Sequence, residues 1–254
     1  MPKSSANAAK FEQTIDTAPQ THSGPCCPQF CSCYLLGRTW AHPSGQHLAI
    51  AKLAIDTGYE TSAVYAWARQ VGFGQVAPVK GLEGFNRASP VTGPTFVDAT
   101  IGGKRLRRGA RLWSVATSTF KAETYRFLRQ DRPTPEEITG GASFPAGTVH
   151  LPNWADSEWL KQLTAEQLVT VKNKRGFAKL EWQKLRERNE ALDCRVYARA
   201  AAWIAGADRW SDARWGELER QLAVEAGGLA GDAVAKSTPR ASARRRTMRS
   251  NYMG

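Results

Sequence analysis

The 254-residue chain contains no apolar run near the roughly 20 residues that cross a bilayer, and its first residues lack the basic-then-apolar pattern of a signal peptide. These absences predict an intracellular, soluble protein with no membrane partner. There is no Gly-x-x-x-x-Gly-Lys-Ser/Thr phosphate loop either, because Gly102-Gly103-Lys104 lacks the glycine that would have to stand upstream. A self-contained nucleotide-driven motor is therefore excluded. Cysteine is scarce and badly spaced for metal: Cys26, Cys27, Cys31 and Cys33 crowd together, with only His42 and His47 nearby to complete a zinc set. Without an export signal, disulfides are not expected. Acid is missing from the C-terminus, where Asp232 is the last carboxylate and Lys236, Arg240, Arg244, Arg245, Arg246 and Arg249 follow it.

What is present suffices for one sizeable core, with 42% hydrophobic residues over this length. The formal net charge of +12 favours a polyanionic partner through counterion release, and nucleic acid leads an anionic membrane surface among the candidates. Residues 1–40 show no period of 2 or 3.6 and are expected to be irregular. Residues 228–254, rich in Gly, Ser, Pro and Arg, are expected to be a disordered basic tail. A single folded domain is expected over 41–227.

Within that domain the pattern is α/β. His47 to Ile55 is an apolar run ending at Asp56-Thr57-Gly58, a buried strand that delivers an acid into a loop. Val64, Tyr65, Ala68 and Val71 recur at helical spacing, with Thr57 or Thr61 as cap. Gln75 to Val79 then completes a β-α-β unit, which predicts a parallel pair with Asp56 and Lys80 at one sheet edge. Gly102-Gly103 between Thr95–Ile101 and Arg107–Ala116 predicts a hairpin. Helices are expected over Phe120–Gln130, Ser157–Lys172 and Asn189–Gly206, with another after Asp208. Short strands are expected at Thr148–Leu151 and Phe177–Trp182. Trp154, Trp159, Trp182 and Trp203 fall on apolar stripes and are expected in the core.

Two acids stand where chemistry is done: Asp56 at a strand tip and Asp193 in the first turn of a late helix. Carboxylates converging on one pocket bind hard cations, and metal-assisted phosphodiester cleavage uses such cations to activate water and stabilise the leaving oxygen. A helix-start aspartate is also simply favourable with the helix dipole. Lys80 at the strand end is a candidate phosphate contact, against the plainer reading of a solvated lysine. Lys104, Arg105, Arg107, Arg108 and Arg111 make a basic hairpin suited to a DNA backbone, against the reading of edge charges that block strand pairing. Glu83 and Asp98 are expected to be ordinary loop or turn residues, and His150 structural.

The wording around these acids is more specific than their spacing. His42-Pro43-Ser44-Gly45, Ile55-Asp56-Thr57-Gly58, Val64-Tyr65 and Val79-Lys80-Gly81 occur in order. They are followed by Trp113-Ser114-Val115 with Lys121, Gly147 to Pro152, Gln162 to Glu166, and the run Arg188 to Ala198 around Asp193. Over residues 40 to 210 this series resembles the C-terminal nuclease part of lambda-type large terminase subunits of tailed phages. The resemblance implies an RNase H-like fold, a mixed sheet with flanking helices, that cuts concatemeric double-stranded viral DNA for packaging in the host cytoplasm. It implies two divalent metal ions, magnesium or manganese, with Asp56 and Asp193 as second and third acids of the site. It also implies partners in the terminase small subunit and the portal, and adds Lys121 to the DNA-binding candidates.

Two departures accompany the likeness. The family's first acid lies on a strand upstream of the Asp56 block, where this chain has the Pro/Cys segment, so the first strands of the sheet are expected to be missing and the chain to begin partway through such a gene. Ser118 stands where relatives tend to carry Asp. The alternative expectation is a DNA-binding or packaging-assembly module without catalysis.

Overall fold

In a computed structural model of the chain, the structure describes residues 35–42, 45–172 and 174–227. The cysteine cluster, the basic tail and most of the N-terminal segment lie outside the described residues. Strand β1 (Thr39–Ala41) pairs antiparallel with β2 (His47–Ala49). Order thus begins before residue 41, inside the segment expected to be irregular, because Trp40 is buried and Leu35 and Leu36 pack beside Trp67 and Val76.

The expected long strand from His47 to Ile55 is two: β2, then β3 (Leu53–Asp56). The sheet that matters runs β3, β4 (Val76–Leu82), β6 (Lys104–Ala116), β5 (Val91–Ile101). Helix α1 (Thr61–Val71) connects β3 to β4, and those two strands pair parallel as the β-α-β order requires. β4 and β6 are also parallel, while β5 returns antiparallel to β6 through the Gly102-Gly103 turn, so the sheet is mixed.

Strand alternation sends side chains to two different cores. Leu53, Ile55 and Val76 meet Trp67 and Ala68 of α1 on one face. Ala77, Val79 and Val115 meet Phe120, Leu192, Val196 and Ala200 on the other. Those last four come from α2 (Thr117–Leu128) and α5 (Glu190–Ala205). The result is a sheet between helical layers. The Leu192, Val196 and Ala200 stripe is buried, and Gly206 in the left-handed conformation ends α5, as only glycine does cheaply. Arg199 ties this layer together, reaching Glu123 of α2 at 2.6 Å and Asp208 of the following 3-10 turn (Ala207–Arg209) at 2.8 Å.

Three expectations need correction. The helix from Ser157 stops at Leu163 (α4), capped by Asp156, whose carboxylate accepts the Trp159 amide. From Glu166 the chain is strand β7 (Glu166–Lys172), paired antiparallel with β8 (Ala178–Lys184), because the β-branched Val169-Thr170-Val171 favours a pleat over a helical turn. Thr148–Leu151 forms no strand; the short helix α3 (Pro135–Thr139), held by a Thr134–Glu137 capping box, precedes it. The four tryptophans are half-buried rather than fully interior; Trp203 packs against the α5-side core and Trp182 against Tyr125. The last described element is α6 (Asp212–Gly227).

Candidate active site

Asp56 ends β3 with its side chain on the α5 face, since it alternates with Ile55, which faces α1. The loop after it is locked by Thr57, a buried residue whose backbone N–H and hydroxyl both donate to the Val79 carbonyl, at 3.0 and 2.9 Å. Thr61 donates back to the Thr57 carbonyl at 2.6 Å. Thus neither threonine caps α1 by its side chain; both staple the loop. Gly58 leaves room for the Asp56 carboxylate, since a Cβ there would stand 2.8 Å from its Oδ2 and push the side chain aside.

Asp193 lies on α5, and one turn later Tyr197 donates its hydroxyl to Oδ1 of Asp56 at 3.3 Å. Residues four apart share a helix face, so this contact brings Asp193 to the same sheet edge as Asp56. The electrostatics agree. Burial raises the Asp193 carboxyl above the usual range, with Glu166 and Asp56 adding to the rise and Lys121 and Lys184 opposing it. Burial first, then both aspartates, push the Tyr197 phenol well above its ordinary value. The hydroxyl therefore stays a neutral donor. Gly81 makes room for it, since a Cβ there would lie 2.8 Å from the Tyr197 hydroxyl and 2.9 Å from Thr117 Cγ2.

Behind Asp193 sits a buried polar network. Glu166, 3% exposed, receives Lys121 Nζ on both carboxylate oxygens at 2.8 and 2.7 Å, and Asn189 Nδ2 on Oε1 at 2.9 Å. Lys184 donates to Asn189 Oδ1 at 3.0 Å, and the Tyr125 hydroxyl is bonded to both the N–H and the carbonyl of Glu166. Asn189 occupies the cap position of α5 without a side-chain cap bond, because its amide is committed to this network. Lys121, a DNA-contact candidate from the resemblance, is instead the interior partner of Glu166.

Ser118 is buried too; its hydroxyl accepts the Gly84 amide at 2.9 Å and its carbonyl accepts the Trp182 indole at 3.3 Å, tying the β7–β8 ribbon to α2.

Lys80 is at the expected edge but on the opposite face, since Val79 and Gly81 point toward α5 and the pleat turns the residue between them toward α1. The basic hairpin is farther away. Asp56 is level with Val79 and Trp113, whereas Arg105 is level with Thr100, near the other end of β6. The eight positions of β6 between those levels span about 26 Å at about 3.3 Å per residue. Asp98, expected to be a plain turn residue, accepts Arg105 Nη2 at 2.9 Å and the Arg108 amide at 3.0 Å.

The acidic edge lies at the carboxyl ends of parallel strands, where open α/β sheets bind ligands. Among the described residues no group of three or more His, Cys, Asp or Glu is disposed to hold a metal ion. Two converging carboxylates nevertheless fit one hydrated hard cation, since magnesium is commonly held by one or two carboxylates with water and substrate phosphate filling its other positions.

Glu166 and Tyr197 were missed as site residues. Both stand inside motif blocks, but Glu166 falls within the helix expected over Ser157–Lys172, where no partner is demanded of it, and nothing in spacing alone marks Tyr197 as a partner of Asp56.

Residues 33–215 match the family model described as the terminase large subunit gpA endonuclease domain. The chain is 35% identical over 180 residues to the terminase large subunit of Escherichia phage lambda, and 33% identical over 178 residues to that of Enterobacteria phage P21. Each likeness covers 69% of this chain and 25% of the relative, so the chain spans about a quarter of the length of the curated relatives it matches. No solved structure matches.

Proposed function

This chain belongs to the family of terminase large subunit gpA endonuclease domains, and from that premise we propose that it is a metal-dependent endonuclease acting on double-stranded viral DNA during packaging. The observation that carries the reading is the Tyr197 bridge, which draws Asp56 and Asp193 from distant parts of the chain to one strand edge. Asp56 and Asp193 would hold a magnesium or manganese ion, and a second ion would depend on DNA phosphate and water, since no group of three or more His, Cys, Asp or Glu among the described residues is disposed to hold a metal. Such ions activate water and stabilise the leaving oxygen of a phosphodiester. The chain's own part is to hold the carboxylates: Thr57 fixes the loop, Tyr197 orients Asp56, and the Glu166 network supports the helix start that carries Asp193.

The mixed sheet, its flanking helices and the acids at one edge support an RNase H-like assignment. By the same family membership the partners are the terminase small subunit and the portal, and the place of action is the host cytoplasm. No helix among the described residues is long and apolar enough to cross a membrane. Lys80 and the basic hairpin contribute backbone contacts to DNA outside the acidic edge.

A plasmid-nicking assay with magnesium or manganese tests the proposal. Cleavage that disappears in Asp56→Asn and in Asp193→Asn supports it. Salt-sensitive binding with no nicking under any divalent cation refutes it and favours the second reading, a DNA-binding or packaging-assembly module without catalysis, which the lack of a three-ligand metal group among the described residues supports.

A further inference from the structure

The β5–β6 hairpin carries more order than solvated edge charges require. Between the pairs Val97↔Ala110 and Ala99↔Leu106, β5 advances two residues while β6 advances four, so the residues around Arg107 and Arg108 bulge out of the ladder. Arg108 has φ 52°, and among the described residues it is the one non-glycine in the left-handed region. A long side chain is held there against its preference, and such strain concentrates where a conformation is used.

Asp98 holds the bulge. Its carboxylate accepts the Arg108 backbone N–H at 3.0 Å and the Arg105 guanidinium at 2.9 Å. These contacts, the Arg108 amide first, keep the carboxyl below the usual range although it lies at the surface. Phe96, 51% exposed, provides the second support: the Arg108 and Arg111 guanidiniums stand 5.0 and 5.5 Å from its ring centroid. Three arginines are therefore pre-positioned by one carboxylate and one ring. Guanidiniums so arranged suit phosphate oxygens, which accept their N–H groups in pairs.

We propose that this Asp98-held bulge is a phosphate-backbone binding station for duplex DNA, separate from the acidic edge and setting affinity rather than the chemical step. The inference rests on DNA being the substrate, as in the reading above, but not on cleavage.

Fluorescence anisotropy with a labelled duplex, in EDTA, tests it on the full chain. The double substitution Arg108→Ala with Arg111→Ala, which removes both guanidiniums held over Phe96, is expected to weaken binding by about 10-fold or more near 0.1 M salt, and to lower the log–log salt slope by about two, one for each lost phosphate contact. Asp98→Ala separates a built site from bulk charge. Removing an acid strengthens binding if only net charge matters, whereas loss of the bulge weakens it about threefold or more. Asp98→Asn, which keeps an acceptor for the Arg108 amide, is expected to stay nearer to the natural protein. Thermal melts confirm that each variant is folded. Unchanged affinity in the arginine variant, or tighter binding in Asp98→Ala, overturns the proposal. A natural protein that binds duplex through the hairpin yet never nicks would instead remove the nuclease reading and leave the station standing.

Discussion

Removing one oxygen atom at Tyr197 isolates the contact on which the acidic edge depends. In Tyr197→Phe the ring still packs beside the Ala77, Val79 and Leu192 cluster, while the 3.3 Å bond to Asp56 Oδ1 is lost. Asp56 is exposed, so water replaces the lost donor and the fold is expected to change by less than about 1 kcal/mol. Metal affinity responds more strongly, because residues that orient a ligand commonly change it by about 10- to 100-fold. Titration of the metal-free protein with manganese, followed by electron paramagnetic resonance of the free ion, is expected to show a dissociation constant raised about 10-fold. Gly81→Ala approaches the same contact from the other side, since its Cβ would stand 2.8 Å from the tyrosine hydroxyl and drive it from Asp56. The two substitutions should therefore be sub-additive when combined: with the hydroxyl already gone, only the 2.9 Å encounter with Thr117 remains. Natural manganese affinity in Tyr197→Phe, or full additivity in the double variant, would refute the claim that the hydroxyl orients Asp56.

Glu166→Ala leaves Lys121 charged in a buried site and is expected to destabilise the protein by about 3–5 kcal/mol in urea denaturation; joining it to Lys121→Met should restore a large part of the loss. Leu192→Ala empties a fully buried position of the α5 face and should cost about 3 kcal/mol by the same measurement. Burial raises the Asp193 carboxyl in the folded state, so the stability it contributes is complete below the ordinary carboxylate range and disappears as pH rises through the raised value. Asp193→Asn is accordingly expected to make the metal-free protein more stable at neutral pH, by thermal melts run across that window, while abolishing nicking.

Much of the fold was legible where one physical rule dominated. A strand, an amphipathic helix and a second strand at short spacing allow little besides a parallel pair, and β3, α1 and β4 form one. Two adjacent glycines with positive φ make a tight turn, and β5 and β6 meet there. Legibility failed where two periods competed. Leu160, Leu163, Leu168 and Val171 fit one helical stripe, yet Leu160 and Leu168 are exposed and the pattern crosses from α4 into β7. The β-branched run near the end carried the contrary signal. Glu166 escapes for the same reason, because a helix surface places no demand on a glutamate, whereas a glutamate buried at the start of β7 must find partners.

The acidic edge shows why two aspartates 137 positions apart become neighbours. β3 presents Asp56 at its carboxyl end, and β4 must pass beside it because the crossover through α1 is short. Glycine at 81 leaves the α5 face of β4 low enough for a tyrosine to reach across. Helix α5 then has little freedom in register. Leu192 and Val196 must enter the core, which puts Asp193 and Tyr197, each one position further on, along the adjoining stripe facing β3. Burial of that stripe raises the Asp193 carboxyl, and the interior ion pair of Lys121 and Glu166 lies close enough for both charges to bear on it. Asp193 comes to the Asp56 edge because core packing aligns the helix, and the expense of holding an acid there is the mark that packing alone does not account for the residue.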